Sequence, residues 1–185
     1  MGKKYFLLTA GGVDKKGIVF NLTKILKKYG FNIEDSSMIL LRHTFSVIVL
    51  LSHNVNFSKI LLEKFYNEIK IFMKNSAMTA DIKSISSKDM KEYMEEGVVY
   101  LLSISGADKP GIVNSVTDIL YKNGVNIIDM ETKSSQKTSP PAYYMFLEVD
   151  IPKRIKIDKL SRELKAAGKK IGVHININKV ESAVL

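Results

Sequence analysis

A single stretch of sequence occurs twice in this chain, and the two copies limit what the chain can fold into. The first copy, at 12–19, reads Gly-Val-Asp-Lys-Lys-Gly-Ile-Val, and the second, at 106–113, reads Gly-Ala-Asp-Lys-Pro-Gly-Ile-Val. The same offset of 94 positions (106 − 12) pairs Asn32 with Asn126. Solenoid repeats have periods of roughly 20–50 residues. The longer offset therefore predicts two domain-sized repeats, which we place at 1–86 and 98–185 with a linker at 87–97.

Hydrophobic periodicity predicts the same order of elements, β-α-β-β-α-β, in both repeats. In the first repeat we predict strands at 5–10, 36–41, 45–52 and 79–85, one helix after the turn at 12–17, and another marked by apolar residues from 57 to 72. In the second repeat we predict strands at 98–105, 126–134, 142–150 and 171–178, and helices at 111–122 and 157–167. This order is the ferredoxin-like (split βαβ) pattern, an α+β fold in which helices cover one face of an antiparallel sheet.

Glycines and apolar stripes define the ends and the faces of these elements. We expect a break of the first strand at Gly11 and Gly12, and left-handed stops of helices at Gly30, Gly124 and Gly168. Two helical apolar faces are predicted in the first repeat from spacings of three and four residues. They consist of Ile18, Val19, Leu22, Ile25, Leu26 and Tyr29, and of Phe57, Ile60, Leu61, Phe65, Ile69 and Phe72.

Composition excludes several classes of protein. The chain has no cysteine, which rules out disulfides, thiolate metal sites and cysteine nucleophiles. Its formal charge is +9, with 15 basic and 10 acidic residues in the first 97 positions and 13 and 9 in the rest. Because the excess of basic residues is spread evenly over the chain, it indicates a solvated surface rather than a nucleic-acid-binding face. No run approaches the ~18 apolar residues that span a bilayer, and the start Met-Gly-Lys-Lys lacks the apolar core of a signal peptide. We therefore expect a cytoplasmic protein that does not contact membranes.

Catalysis has little support in the sequence. His43, His53 and His174 show no metal-like spacing. Asp35 and Asp129 occupy equivalent places in the two repeats, which indicates sheet-entry residues rather than an acid–base pair. Neither a Walker loop nor a dinucleotide fingerprint is present. The sequence therefore predicts a protein that is not an enzyme and that has no cofactor and no metal site.

The turn at 106–111 is the strongest candidate for a binding site. It joins a predicted strand to a helix, whose first backbone N–H groups are free to hold a carboxylate. Gly111 permits the close approach of another molecule, and Pro110 suits a first helical turn. The side-chain carbonyl of Asn126 can accept an ammonium group, and a carboxylate with an ammonium group describes a free amino acid. The alternative is that the acidic and amide residues serve only as helix caps and turn formers: Asp14, Asp108, Asn32 and Asn126.

Asp-Lys-Pro-Gly-Ile-Val at 108–113, followed by Gly-x-Asn-Ile at 124–127, resembles the signature of ACT domains. The resemblance covers nearly the whole chain, as two units in tandem. It implies β-α-β-β-α-β regulatory modules that commonly bind an amino acid at the first strand–helix turn, often at an interface between two modules. The ligand-binding residues that it implies are Gly12, Asp14, Gly17, Ile18, Asn32 and Ile33 in the first unit, and Gly106, Asp108, Pro110, Gly111, Ile112, Asn126 and Ile127 in the second. The first unit departs from the family pattern with Lys16, where proline is usual.

The resemblance implies a regulatory protein that senses a small amino acid, with glycine or serine favoured, and signals to a protein partner. The exposed edges of two small sheets favour side-by-side pairing, so we expect a homodimer. No helix-turn-helix is present, so control of transcription is expected to pass through a partner activator. Two alternatives stay open: a dissociable regulatory subunit of a biosynthetic enzyme, and a nucleic-acid-binding module that uses its sheet face. The last requires exposed aromatic residues beside basic ones. The central strands offer four aromatic residues without interleaved Lys or Arg, namely Phe45, Tyr143, Tyr144 and Phe146.

Overall fold

The computed structural model describes residues 3–54, 58–86, 97–135 and 139–180. The chain divides into two compact units, Met1–Tyr93 and Met94–Leu185. Apart from Gly97, the predicted linker at 87–97 lies outside the described residues, as does Phe57 of the predicted second helix. The limits of the two domains therefore stay a prediction.

Each unit has the predicted order of elements and one antiparallel sheet. The first contains β1 (Lys3–Val13), α1 (Ile18–Lys28), β2 (Asn32–Leu41), β3 (Thr44–Asn54), α2 (Lys59–Asn75) and β4 (Met78–Ile85). The second contains β5 (Val98–Ala107), α3 (Ile112–Lys122), β6 (Asn126–Ser135), β7 (Ala142–Ile151), α4 (Ile157–Ile171) and β8 (Val173–Lys179). The strand orders are β2-β3-β1-β4 and β6-β7-β5-β8, with antiparallel neighbours throughout. The ferredoxin-like fold is thus confirmed in both halves.

Alternation along the central strands explains why the helices cover one face only. In β3, Phe45, Val47, Val49 and Leu51 are buried, and the residues between Phe45 and Val49 are exposed. Because successive strand residues point to opposite faces, this set faces the helices. The helices complete the core with Leu22, Leu26, Phe65, Ile69 and Met73 among others. The second unit repeats the pattern with Met145, Leu147, Val149, Val116, Leu120, Leu160 and Leu164.

Three apolar residues assigned to helical faces are not part of the core. Val19 is 46% exposed, Ile60 68% and Leu61 39%. Ile60 and Leu61 lie in the first turn of α2, ahead of Phe65, which is the first fully buried residue of that helix. The predicted faces were therefore too wide at these positions, because a spacing of three or four residues does not fix where a helix meets its sheet.

The expected stops at Gly30 and Gly124 are confirmed by φ angles of 72° and 66°. The other two glycine predictions were wrong. Strand β1 continues through Gly11 and Gly12 to Val13, and α4 continues through Gly168 to Ile171. A Cβ at Gly168 would lie 2.7 Å from the carbonyl oxygen of Val173, so this glycine lets α4 approach β8 closely. The left-handed residue that ends α4 is Gly172, with φ 77°.

Candidate functional site

The first helix of each unit begins at a left-handed glycine. Gly17, with φ 89°, precedes α1, and Gly111, with φ 92°, precedes α3. No side-chain hydrogen bond caps the N-terminus of either helix in the described part of the chain. The structure thus excludes helix capping by Asp14 and Asp108. Backbone N–H groups at the start of a helix attract anions when no side chain caps them, so both openings suit a carboxylate.

Hydrogen bonds hold the two turns against the neighbouring hairpins. The N–H of Asp14 donates to the carbonyl oxygen of His43 at 2.9 Å, and the N–H of Asp108 donates to that of Pro141 at 2.8 Å. Ser134 Oγ also donates to Asp108 Oδ2 at 2.7 Å. The helical residues Ile18 and Ile112 that follow the turns are buried. The turns are therefore preorganised, and these isoleucines anchor them in the core.

The glycines that the two turns share are required for two different physical reasons. A Cβ at Gly12 would lie 2.6 Å from the carbonyl oxygen of Ala77, and one at Gly106 would lie 2.8 Å from that of Gly172, so both allow a close backbone approach. Gly111 is glycine because of its positive φ, since a Cβ there would meet nothing within 4 Å. The space in front of Gly111 is therefore open to another molecule.

Pro110 lies just before Gly111, the left-handed residue that precedes α3. The helix begins one residue later than the sequence indicates because Gly111 takes the left-handed conformation. The proline ring still fixes the backbone ahead of the opening. The equivalent residue of the first unit, Lys16, is exposed and leaves that backbone less restricted.

The turn and the asparagine of one unit lie at opposite ends of the sheet. Gly12 pairs with Phe45 of β3, whereas Asn32 pairs with Ser52, seven residues further along (52 − 45). At about 3.3 Å per residue this separation is roughly 23 Å. In the second unit Gly106 pairs with Tyr143 and Asn126 pairs with Asp150, so the separation along β7 is the same. A free amino acid cannot bridge this distance, so the turn and the asparagine of one unit cannot both contact the same ligand molecule.

An open groove lies beside each asparagine, between the first helix of the unit and its edge strand. The volumes are about 720 Å³ beside Asn32 and about 460 Å³ beside Asn126. Apart from the core residues Leu26 and Leu120, the helical residues that line the grooves were not named in the sequence analysis, although they follow the spacing of one helix face. They are Phe20, Thr23, Lys24 and Lys27 in α1, and Asn114, Thr117, Asp118 and Tyr121 in α3. Ile33 and Ile127 line the strand side.

Glu34 of β2, next to Asn32 and Ile33, is hydrogen-bonded to residues of β1 and β3. It lies at an irregularity in the pairing of β2 with β3, between Ile33 and Asp35. Lys3 Nζ donates to Glu34 Oε1 at 2.8 Å, and the buried Ser52 hydroxyl donates to the same oxygen. These hydrogen bonds, that of Lys3 first, lower the pKa of the Glu34 carboxyl below its ordinary value of 4.5. Lys3, Glu34 and Ser52 thus satisfy one another at this corner of the first unit.

Asp150 takes the place of Ser52 in the second unit, opposite Asn126 and Val99. Its Oδ1 is buried and has no hydrogen-bond partner among the residues that the structure describes. Gly97 packs against this oxygen so closely that a Cβ there would lie 1.5 Å away. A buried acceptor without a partner costs about 1–3 kcal/mol. The second unit therefore has an unsatisfied carboxylate oxygen where the first has a hydrogen-bonded hydroxyl.

Asp150→Ser is expected to raise the free energy of unfolding of the second unit by about 1–3 kcal/mol, because it removes the buried oxygen and restores the residue of the first unit. Urea denaturation followed by circular dichroism measures the change. Asp129→Ser is the matched control, since Asp129 is exposed on the adjacent strand and its loss should shift stability by less than about 0.5 kcal/mol. A lower stability for Asp150→Ser would show that the carboxylate has a favourable partner.

The three histidines lie on separate elements. His43 lies in the turn between β2 and β3, His53 packs edge-on against Phe31 with ring centroids 5.2 Å apart, and His174 lies on β8. Within the four described segments, no cluster of acidic and histidine residues has the arrangement of a metal site. No helix there is long and apolar enough to cross a membrane.

The aromatic residues considered for nucleic-acid binding divide between the two faces of their sheets. Phe45 and Tyr143 are buried against the helices, so they are unavailable to a ligand. Tyr144 and Phe146 are exposed on the helix-free face of the second sheet, at 44% and 42%. Their neighbours on β6 are Lys133 and Glu131, which form an ion pair at 2.8 Å, and the next pair along is Asp129 and Glu148. This acidic surrounding disfavours a phosphate backbone.

Comparison with known proteins identifies the domain type of each unit. Family models of the ACT domain match residues 4–73 and residues 100–166. A UPF0237 protein of Pyrobaculum aerophilum is 35% identical over 82 residues, which cover 44% of this chain and 87% of that protein. The glycine cleavage system transcriptional repressor of Escherichia coli is 42% identical over 52 residues, or 28% of this chain and 27% of the repressor. The crystal structure of an unknown protein from Galdieria sulphuraria superposes with a TM-score of 0.80 at 25% identity, over 97% of this chain and 100% of that one.

Proposed function

This chain belongs to the ACT domain family, with two ACT domains in tandem, and we propose that it is a regulatory protein that binds a small amino acid and catalyses no reaction. The observation that carries the proposal is the pair of uncapped helix openings, at Gly17 and Gly111, held rigidly by hydrogen bonds to neighbouring hairpins. A preorganised opening with free N–H groups can take a carboxylate at low entropic cost. The proposed residues at each site are those implied by the family resemblance.

Each site would be shared between two ACT units. The turn lies beside the Leu41 end of β2, because Val13, Thr44 and Leu41 are neighbours across the sheet, whereas Asn32 begins the same strand. If edge strands of two copies pair antiparallel, the turn of one copy comes near the asparagine of the other. The turn would then hold the carboxylate, and the asparagine carbonyl would accept the ammonium group. The groove beside Asn32 is open to receive the approaching turn.

The ligand would be small, with glycine or serine favoured. The openings bind the part that all amino acids share, and the exposed position in front of Gly111 leaves little apolar surface to reward a large side chain. The best small ligands gain at most about 1.5 kcal/mol per heavy atom. For the five heavy atoms of glycine that limit corresponds to micromolar affinity or weaker, a range that suits a sensor of metabolite concentration.

The bound state would be communicated to a protein partner. A local match to a transcriptional repressor supports a role in transcription that passes through a partner activator. The alternative partner is an enzyme of amino-acid biosynthesis, with this chain as its dissociable regulatory subunit. Co-purification from cell extract separates these two partners. In either case the ligand must prefer one of two arrangements of the protein, because equal affinity for both shifts nothing.

Isothermal titration with the twenty amino acids tests the proposal. We expect one or two small amino acids to bind, and Asn32→Leu and Asn126→Leu each to reduce the number of sites, because each removes an ammonium acceptor from an exposed position. The double variant should not bind. Asn176→Leu, at an exposed strand position of the second unit, is the matched control and should titrate as the wild type does. Flat titrations of a folded wild-type protein would overturn the proposal.

A further inference from the structure

Helix α4 of the second unit presents a line of basic side chains to solvent. Its buried residues are Leu160, Leu164 and Gly168, and at about 100° per residue the positions directly opposite them form one stripe along the helix. All members of this α4 stripe are exposed, and they are Lys159, Arg162, Ala166 and Lys169. At 1.5 Å per residue the stripe is about 15 Å long, and every charge on it is positive.

The two carboxylates of α4 do not neutralise this stripe. Glu163 Oε2 accepts a hydrogen bond from Asn123 Nδ2 at 3.0 Å, which directs the side chain toward α3. Its other oxygen lies 3.8 Å from Lys159 Nζ, and an exposed pair at such a distance contributes little. Asp158 lies in the first turn, where a carboxylate complements the helix dipole. The stripe therefore retains its positive charge.

The equivalent helix of the first unit has no such stripe. The buried residues of α2 are Phe65, Ile69 and Met73. The positions opposite them mix apolar, polar and basic residues, namely Ile60, Lys64, Asn67, Ile71 and Lys74. Two helices with the same place in the same fold thus present different surfaces. Because solubility is served by charges of both signs interspersed, the uninterrupted basic stripe of α4 indicates an acidic partner.

The remainder of the second unit favours a short acidic protein segment over a nucleic acid as that partner. The helix-free face of the sheet has Asp129, Glu131 and Glu148 against Lys133, which disfavours a polyanion long enough to bend around the unit. No residue of the α4 stripe is aromatic, so no base could stack on it. Carboxylates three and four residues apart on a helix share one face, and such a face has the same axial spacing as the stripe.

We propose that the α4 stripe is a docking surface for an acidic helix of a protein partner. The turn at 106–111 lies next to the end of α4, because a Cβ at Gly106 would lie 2.8 Å from the carbonyl oxygen of Gly172 and a Cβ at Gly172 would lie 3.2 Å from Lys109 Nζ. A ligand carboxylate at the opening of α3 would attract this ammonium group and so influence the end of the docking helix. The inference deepens the proposed function by naming the surface that the partner contacts, and for that role it rests on the proposed function.

Fluorescence anisotropy of the full chain with a labelled peptide tests the surface without any amino acid. The probe is an alanine-based helix of about 18 residues whose glutamates are spaced three and four residues apart. Its control has the same composition, with the glutamates distributed around the helix. We expect the wild type to bind the probe at least about tenfold more tightly than the control, with an affinity that falls as salt is raised.

Charge reversal locates the binding surface. Arg162→Glu combined with Lys169→Glu should weaken binding of the probe at least about tenfold, because like charges then face each other. The matched control is Lys64→Glu combined with Lys74→Glu on the exposed face of α2, which makes the same change in net charge, from +9 to +5 (9 − 4). It should weaken binding less than about twofold. Circular dichroism melts confirm that both variants are folded, as expected for exposed positions.

Three results would overturn the proposal: no binding of the probe by the wild type, equal binding of probe and control peptide, or an equal loss from the two double variants. Tighter binding of a duplex DNA of about 20 base pairs would overturn it too, in favour of a nucleic-acid surface. A protein that binds an amino acid but not the probe refutes this docking surface alone, whereas one that binds the probe but no amino acid refutes the proposed function alone.

Discussion

Phe65→Ala is expected to lower the free energy of unfolding of the first unit by about 3–5 kcal/mol, the cost of removing a large buried aromatic side chain. Phe65 is fully buried in α2, and its ring contacts those of Tyr29, Phe31 and Tyr66 at centroid distances of 5.5, 4.3 and 5.8 Å. The side chain thus joins α2 to the end of α1 and the segment that leads to β2. Since a domain is stable by only about 5–15 kcal/mol, the variant loses much of the stability of its unit.

Native-state hydrogen exchange followed by mass spectrometry measures this effect for each unit separately. Peptides from α1, α2 and β3 should exchange faster in Phe65→Ala. Phe20→Ala is the matched control, because Phe20 is 67% exposed on α1 and its removal leaves no cavity. It should change the stability by less than about 0.5 kcal/mol. Equal effects of the two substitutions would mean that the aromatic cluster does not hold the first unit together.

Gly12→Ala and Gly11→Ala should have opposite effects, although the two glycines are adjacent in one strand. A Cβ at Gly12 would lie 2.6 Å from the carbonyl oxygen of Ala77 and 2.8 Å from the Cα of Met78, both of them backbone atoms that cannot rotate away. A Cβ at Gly11 would have its nearest neighbour, the carbonyl oxygen of Phe45, at 3.6 Å, which is ordinary contact. We expect Gly12→Ala to destabilise by about 1–3 kcal/mol, and Gly11→Ala to stabilise by up to about 1 kcal/mol through the unfolded state.

Thermal and urea denaturation of the two variants measure this difference, with wild type as the common reference. The result also decides whether Gly12 is required by close packing against β4 or by ligand binding. If both variants were equally stable, β4 would not approach Gly12 as closely as the structure has it, and the reason for glycine at this position would lie in ligand binding alone. The second unit offers a replicate, because a Cβ at Gly106 would lie at a comparable distance, 2.8 Å, from the carbonyl oxygen of Gly172.

Local sequence determined most of the fold and only part of the candidate site. The order of elements followed from periodicity, because residues such as Val47, Val49 and Leu51 alternate between faces of one strand. Gly12 and Gly168 were wrongly predicted to end their elements. Each is glycine because the backbone of another segment packs closely against it, and such a contact cannot be read from the neighbouring sequence. Val19 and Ile60 were misplaced for a related reason, since the width of a buried face depends on what packs against it.

The separation of the turn from Asn32 could have been predicted. A helix of 11 residues connects them, and at 1.5 Å per residue it holds its ends about 16 Å apart. In contrast, the unpartnered oxygen of Asp150 had no signal in the sequence, because it depends on the register of β7 against β5 and on the packing of Gly97.

The shared site is tested most directly by mixing two variants that are each inactive. Lys16→Glu places a carboxylate at the exposed opening of α1, where it repels the carboxylate of the amino acid, and Asn32→Leu removes the ammonium acceptor. Both chains also carry Asn126→Leu, which silences the second unit. Titrated alone with the amino acid found by the screen, neither should bind. After mixing and exchange, half of the dimers pair one chain of each kind and contain one intact site, so about a quarter of the first-unit sites should return. No recovery from a mixture whose exchange is verified would contradict a site built from two copies of this chain.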